Sequence, residues 1–574
     1  MELAQLKKHL KNDLSGLPVL SVAILGDHPT QLLHTAIKGY GAMEGYNLEI
    51  YEAEYNQIQS QIANPQSDLY SRKPKFITIF QSPRKLLEEF QLAPLNQRHE
   101  FAQRHLEKIE DYLESLKKPS NSNLIYSNFP ELDENVFGNF GNKEERSFIY
   151  QLRKINFGLM NLALRHQNLF INDLALLQNR LGAKELFSPS LYATTGMIFR
   201  VDALPAIAKN TLDIIKAING KIRKCLILDL DNTCWGGIIG DDGIEGIQIG
   251  NLGLGETFSR IQHWAKELKD RGIILAICSK NDEKTAMEPF LKHPAMVLRM
   301  EDIAVFIANW ENKVDNIRHI QSILNVGYDS MVFIDDNPAE RRVVRENLPY
   351  VTVPELPADP AEYLAYLSEL NLFETATFTN EDVGRTKKYQ EEAIRLTAKQ
   401  SFVNEEAFLS SLKMTCQVQH FETGDIPRLA QLTQRSNQFN LRTIRYTEEE
   451  IINISHDRNY LTLSFKLGDT FGDYGLVSII ILKALSTSEL LIDTWIMSCR
   501  VLKRGLEQLV LNEIATLAAR NEYVSIIGEY LPTPKNNMVK DHYTKLGFKP
   551  SGTPNRYYLS VKDFVPKSHL IEKI

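Results

Sequence analysis

The chain has 574 residues, of which 43% are hydrophobic and 24% charged, with a formal net charge of −7. That length predicts several domains of ordinary globular composition. The negative balance provides no global field for nucleic acid, and no stretch approaches the ~20 apolar residues of a membrane span. Residues 1–14 are charged and amphipathic, without the apolar core of a secretory signal. The cysteines, Cys225, Cys234, Cys278, Cys416 and Cys499, include no C-x-x-C pair. Free thiols in a reducing cytoplasm, with no zinc site, are expected.

In chain order, strands are expected at 19–25, 48–53, 75–81, 123–127 and 168–171, with helices at 96–118 and 143–166. This alternation predicts a parallel sheet covered by helices, spanning about residues 1–210. After the first strand, Gly26-Asp27-His28-Pro29-Thr30 opens a helix. It resembles the first block of SGNH hydrolases, an SGNH/flavodoxin-like α/β fold, but His28 stands where that family has its nucleophilic serine. Such a domain lacks the nucleophile and serves docking or substrate shaping; ordinary turn chemistry explains the four residues equally well.

The run Cys225-Leu-Ile-Leu-Asp-Leu-Asp-Asn-Thr-Cys-Trp-Gly-Gly237 reads as a buried strand ending in two carboxylates. Strand alternation aims Asp229 and Asp231 to one side. Like charges crowded in low dielectric repel, and a divalent cation offsets the cost. Residues 273–279 predict another buried strand, ending in the hydroxyl of Ser279 before Lys280 and a helix start, an arrangement suited to phosphate. Lys313 opens an amphipathic helix with Val314, Ile317, Ile320 and Leu324 on one face. Residues 331–336 end a further strand in Asp335 and Asp336. Ligands of open α/β sheets bind at this carboxyl edge.

These four ordered motifs, within residues 215–355, resemble the haloacid dehalogenase (HAD) phosphatases. The resemblance implies that Asp229 is the nucleophile and Asp231 the general acid/base, its main-chain carbonyl joining a Mg²⁺ shell. Thr233, Ser279, Lys280 and Lys313 would hold substrate, and Asp335, with Asp336 as the weaker candidate, would complete the metal site. The crossover helix is expected at 256–270. Only a short β excursion at 236–250 fits before it, so the Rossmann-like core is capless and its open site needs a bulky partner or a lid from the flanking domains.

Residues 354–375 read as a Pro-rich acidic linker with a short helix. Beyond it, residues 376–574 predict strand 413–420, helix 425–434, strands 460–467, 475–484 and 488–497, helix 504–520, strand 523–530, helix 536–546 and a last hairpin. With Asn537 and Tyr543-Thr-Lys-Leu-Gly-Phe548, this resembles the GNAT acetyltransferases, an α+β fold. Lys503 replaces a glycine of their pyrophosphate loop, which favours a protein-borne pantetheine arm over free coenzyme A.

The overall fold class is therefore α/β, in three domains. Over nearly its whole length the chain resembles the FkbH-like HAD enzymes of polyketide biosynthesis. Residues 229–237, 333–340, Gln438-Phe-Asn-Leu-Arg-Thr443, Phe471-Gly-Asp-Tyr-Gly-Leu-Val477 and Ser498-Cys-Arg-Val-Leu502 carry that resemblance. It implies conversion of 1,3-bisphosphoglycerate into a glyceryl thioester on an acyl carrier protein, with loss of both phosphates. Cys234 or Cys499 would carry the acyl group in between, or the pantetheine thiol attacks directly. Arg435, Arg442, Arg445, Lys503, Arg504 and Lys535 are candidate contacts for an acidic carrier protein. Asp473 and Tyr543 are candidate proton carriers, or else a turn carboxylate and a packed tyrosine. A plain phosphatase acting on a soluble ester and a non-enzymatic scaffold are the alternatives.

Overall fold

Runs of aliphatic residues with few charges, buried on both faces, build the two parallel sheets of the chain. The computed structural model describes residues 1–117, 122–134, 136–399, 402, 404–436, 438–533 and 536–574. It divides into two compact units, Met1–Ile218 and Asn219–Ile574. Among the described residues, no helix is long and apolar enough to cross a membrane.

In the first unit, β1 (Val19–Gly26), β2 (Asn47–Glu52), β3 (Phe76–Phe80), β4 (Asn123–Ser127) and β5 (Leu169–Asn172) form a parallel sheet in the order β2-β1-β3-β4-β5. Every residue of β3 and β4 is buried. The strands fall within a residue or two of their predicted positions. The helix Leu204–Ile218 closes the unit, with an apolar face including Ile207, Leu212 and Ile215. After β1, Asp27 accepts a hydrogen bond from the Ser82 amide at 2.8 Å. Burial pushes its carboxyl up to about 6. The neighbouring His28 ring meets Phe199 edge-on at 5.7 Å, and burial lowers its pKa to about 4.

The second unit contains two sheets. The first is parallel, with β6 (Cys225–Leu228), β7 (Ile274–Ser279), β8 (Ile303–Ala308) and β9 (Met331–Ile334) in the order β8-β7-β6-β9. The crossover helix Leu254–Asp270 buries Phe258, Ile261, Ala265 and Leu268. Segment 236–250 is not a β excursion. It is a helix, Ile239–Gly246, kinked at Gly243 and bracketed by a single bridge between Gly236 and Gln248. The Asp242 carboxylate accepts the Ile238 amide at 2.8 Å and so ties the helix start. Segment 354–375 has its short helix at Tyr363–Leu370, yet it is more than a linker: Leu356, Tyr363, Leu367 and Phe373 join the core of this sheet.

The other sheet has eight strands: β10 (Thr415–Gln419), β11 (Tyr460–Asp469), β12 (Gly472–Ala484), β13 (Glu489–Met497), β14 (Ser525–Glu529), β15 (Lys549–Pro550), β16 (Arg556–Ser560) and β17 (Glu572–Lys573). Their order is β15-β16-β14-β13-β12-β11-β10-β17. β13 and β14 pair in parallel from Glu489↔Ser525 only as far as Ile492↔Gly528. Past that point β13 parts from β14 but stays paired with β12 as far as Met497, and Asn440 bridges to Ile496. Phe439, Trp495 and His542 pack together at this opening, the imidazole 4.5 Å from the indole. The predicted helix 536–546 is two short turns, Asn537–Val539 and His542–Lys545.

One helix absent from the sequence reading, Arg385–Lys399, lies against both β8 and β12. Its buried Arg395 forms a two-pronged pair with Asp469, at 2.8 and 3.0 Å, and bonds Glu392 at 3.2 Å. Arg395→Met leaves Asp469 with a weaker set of partners in a buried setting. A loss of about 3 kcal/mol of stability is expected, read as a lower urea midpoint with unchanged slope.

Candidate active site

The site forms where β6, β7 and β9 end. The Asp229 amide donates to Ile334 O at 2.9 Å, so strand pairing fixes where the first carboxylate emerges. The chain then turns sharply: the amides of Thr233 and Cys234 donate to Leu230 O. Asn232 sits at φ +52°, a left-handed conformation that asparagine tolerates, and its side chain accepts the Gly237 amide at 2.9 Å. Gly237, at φ +93°, has Asp242 Oδ2 only 2.5 Å from where a Cβ would stand. A larger residue is excluded by both backbone and space.

Lys313 begins its helix directly after the cap Asn312, whose side chain accepts the Asp315 amide. Its ammonium lies 2.9 Å from Asp229 Oδ2 and also bonds Asp335 Oδ2. All three groups are buried. Burial alone lowers the Lys313 pKa, but Asp229 and Asp335 more than offset that and hold it charged. Burial pushes Asp229 and Asp335 upward, against the pull of Lys313. Burial and the nearby Asp229 charge raise Asp336 to about 6.

Asp229, Asp335 and Asp336 each bring a carboxylate oxygen within 4.8 Å of the others. Asp229 Oδ1 is buried with no hydrogen-bond partner among the described residues. An orphaned oxygen amid three carboxylates and one lysine fits a small dication with oxygen ligands. Asp231 differs from the sequence reading of its carboxylate pair, for its carboxylate lies outside this cluster. It accepts from Trp235 Nε1 at 2.9 Å, the Ile239 amide at 3.0 Å and Asn281 Nδ2 at 2.9 Å. Only its main-chain carbonyl remains as the proposed metal contact.

Ser279 is buried at the end of β7, and Asn281 Nδ2 reaches its hydroxyl at 3.1 Å. The nearby Ser279 hydroxyl favours the ionised form of Asp229. Two other expected substrate contacts are engaged with protein. The Thr233 hydroxyl accepts the Asp336 amide at 3.1 Å, joining two strand ends, and Lys280 pairs with Glu340 at 2.6 Å.

Cys234 corrects the sequence reading most directly. It is fully buried, and its thiol donates to Asp229 O at 3.2 Å. Burial, then the charges of Asp229 and Asp231, push its pKa well above the ordinary thiol range. A thiol so enclosed acts as a small core hydrophobe, not as an acyl acceptor. Cys499 begins the single turn Cys499–Val501 after β13, and its side chain lies outside the described residues.

Two positioning residues escaped the sequence reading. Asn281 links Asp231 to Ser279. Buried Arg341 donates to Asp335 O at 2.8 Å and Asp336 O at 2.6 Å, fixing the β9 terminus. A polar residue just after a strand end was the available signal for Asn281; Arg341 reads in sequence as an ordinary helix-surface charge.

A parallel sheet whose carboxyl edge gathers an acidic cluster around a buried lysine defines a HAD-type core. The model of the family "FkbH, N-terminal domain" matches residues 21–216. A solved structure described as the N-terminal part of the protein BF1531 from Bacteroides fragilis, containing a phosphatase domain complexed with Mg, is 51% identical. It covers 66% of this chain and 100% of its own, with a TM-score of 0.64. The chain belongs to the FkbH-like family. Its carboxyl-terminal region also matches the ribosomal-protein-S18-alanine N-acetyltransferase of Escherichia coli, at 15% identity and a TM-score of 0.21, over 26% of this chain and 94% of that one. Ard1 of Thermoplasma volcanium matches at 17% identity and a TM-score of 0.20, over 25% and 97%. No curated protein matches the sequence.

Protons compete with a dication for these carboxylates. With Asp336 raised to about 6, it is ionised at pH 7.5 and largely protonated at pH 5. The thermal stabilisation given by Mg²⁺ is therefore expected to be large at pH 7.5 and to fall at pH 5. The apparent Mg²⁺ affinity should drop roughly tenfold for each carboxylate that protonates over that interval. Differential scanning fluorimetry across a Mg²⁺ series at both pH values checks this.

Proposed function

We propose that the protein is a Mg²⁺-dependent phosphatase and acyl transferase that turns 1,3-bisphosphoglycerate into a glyceryl thioester on an acyl carrier protein. The observation that carries the phosphatase half is the buried Asp229–Lys313–Asp335 triad beside an unpartnered Asp229 oxygen. The Mg-bound phosphatase domain of the B. fragilis relative supports it. Asp229, Asp335 and Asp336 would hold the ion, which when bound withdraws charge from the phosphoryl oxygens. Asp229 attacks phosphorus through the carboxylate set by β6. Lys313 offsets charge on the transferring group, Ser279 orients it, and Asp231, fixed by its three donors, handles the proton of the leaving oxygen.

The acyl-transfer half rests on the family resemblance and on a cavity of about 520 Å³ lined by Leu502, Lys503, Gly505 and His542. The Lys503 amide there donates to Glu507 at 3.0 Å. A carboxylate at the loop disfavours a pyrophosphate and suits the neutral stretch of a pantetheine arm. Arg442 pairs with Asp493 and Glu529, and Arg504 with Glu392, so both cations stabilise this fold and are poor candidates for carrier docking. Arg445 is turned to Gln434 O. The side chains of Arg435 and Lys535 lie outside the described residues. Asp473 accepts the Gly475 amide in its own turn, and Tyr543 is packed in the core, which favours the structural reading of both. An activated acyl phosphate is open to direct attack by the pantetheine thiol, whereas the 3-phosphate, an unactivated ester, requires the carboxylate site. Cytoplasmic residence follows from substrate and carrier together.

Asp229→Asn is expected to lower release of the 3-phosphate at least a thousandfold while leaving the melting temperature within a few degrees, because an amide is a poor nucleophile. A phosphate assay with carrier protein present and absent separates this reading from a plain phosphatase; equal turnover and no acylated carrier by intact-mass spectrometry would support the latter. Cys234→Ser is expected to retain carrier acylation at more than half the wild-type rate. Loss of acylation with an unchanged melting temperature would restore Cys234 as the acceptor.

A further inference from the structure

A second cavity, of about 470 Å³, lies in the same compact unit at the opposite edge of the four-stranded sheet. Its wall includes Lys224 and Ile274, at the amino ends of β6 and β7, and Ser330 just before β9. Asp229 follows β6 at the other end, so the five residues from Lys224 place the two sites about 16 Å apart. The far wall comes from the end of β13 and its turn: Met497, Ser498 and Arg500.

The charge on this wall is one-sided. Lys224, Arg385, Arg428 and Arg500 line it against the single carboxylate of Asp329. Arg385 is met by Asp382. Arg500 is different. Its Nε contacts Ser498 Oγ at 3.4 Å and its guanidinium lies 6.0 Å from the Tyr389 ring, but Nη1 is buried with no hydrogen-bond partner among the described residues. Arg500 is half-buried as a residue, and an idle N–H in its buried part is costly unless an anion completes it. The volume falls in the range of small-molecule sites. Phe439 lines both this cavity and the 520 Å³ cavity assigned to the thiol arm, so the two adjoin at this residue.

We propose that this cavity binds a phosphorylated carboxylic acid, the acyl donor, at a site distinct from the carboxylate cluster, with Arg500 as its anion contact. The inference rests on the acyl-transfer reading above and adds a location to it. Donor and thiol arm then lie in adjoining cavities that meet at Phe439, the thiol attacking the acyl carbon and expelling its phosphate, while removal of the other phosphate proceeds at the opposite sheet edge. A single small cleft then has no need to present both ends of one substrate.

The test titrates 3-phosphoglycerate into the full-length protein by calorimetry, with EDTA present to silence the metal site. Wild type and Asp229→Asn are expected to bind one equivalent with equal affinity. Arg500→Gln is expected to bind at least tenfold more weakly and Arg500→Lys between the two, since lysine keeps the charge but loses the planar fork of N–H donors. Mg²⁺-dependent hydrolysis of p-nitrophenyl phosphate should be unchanged in Arg500→Gln. Unchanged binding in Arg500→Gln overturns the proposal, as does loss of binding in Asp229→Asn, which would place the ligand at the carboxylates. Equal loss in both Arg500 variants with a lowered melting temperature gives Arg500 a packing role and also overturns it. Arg500-dependent binding of 4′-phosphopantetheine instead would assign the cavity to the arm. Wild-type protein inert toward p-nitrophenyl phosphate would refute the phosphatase reading while leaving this binding result to stand on its own.

Discussion

The ammonium of Lys313 is buried between Asp229 and Asp335, and the edge of the four-stranded sheet is organised around that contact. Two carboxylates in so dry a place repel, and each on its own favours its neutral form. One lysine cannot neutralise them together with Asp336, so the cluster keeps an excess of negative charge. The surrounding structure therefore has to hold the carboxylates from behind. Strand pairing fixes Asp229, the Arg341 guanidinium grips the main chain of Asp335 and Asp336, and the Asp335 side chain accepts the Asn337 amide.

The electrostatic character of the sheet reverses from end to end. Its carboxyl edge collects acids and attracts a dication. Its amino edge faces a wall of cations contributed partly by the eight-stranded region. Both ends deal with phosphorylated compounds in the proposed reading, by opposite means: acids that recruit a metal at one end, and direct cationic contact at the other. Positioned acids suit bond cleavage, because the metal they recruit acts where charge develops. Direct cationic contact suits retention.

Strand-terminal polar residues were legible because the strands themselves were: Asp229, Ser279 and Asp335 each follow an uninterrupted apolar run, so fold and site were read from the same letters. Lys313 was readable for a different reason, as the first residue of a clearly periodic helix. Cys234 shows where such reading stops. Proximity in sequence to Asp231 suggested reactivity, but the turn after β6 swings the thiol into the core beneath Asp229, and no spacing rule contains that rotation. The helix Ile239–Gly246 was missed because its glycines and isoleucines carry neither period clearly. Arg341 was missed because it bonds the main-chain carbonyls of Asp335 and Asp336 and the Glu355 carboxylate, a matter of three-dimensional closure that residue type does not reveal. The amino-edge cavity was beyond reach altogether, since its walls come from segments more than 150 residues apart.

The helix Arg385–Lys399 carries a consequence for how the molecule comes apart. It contributes Tyr389 to the core beside Ile317 and Phe333, and Arg395 to the ion pair at the end of β11. Neither sheet can lose its covering without the other losing a wall. Loss of either sheet exposes surface of this helix, which couples the stability of the two. In the proposed reading, the distance between the carboxylate cluster and the amino-edge cavity is consequently a fixed dimension of the fold, and a carrier arm would be the component that moves between them.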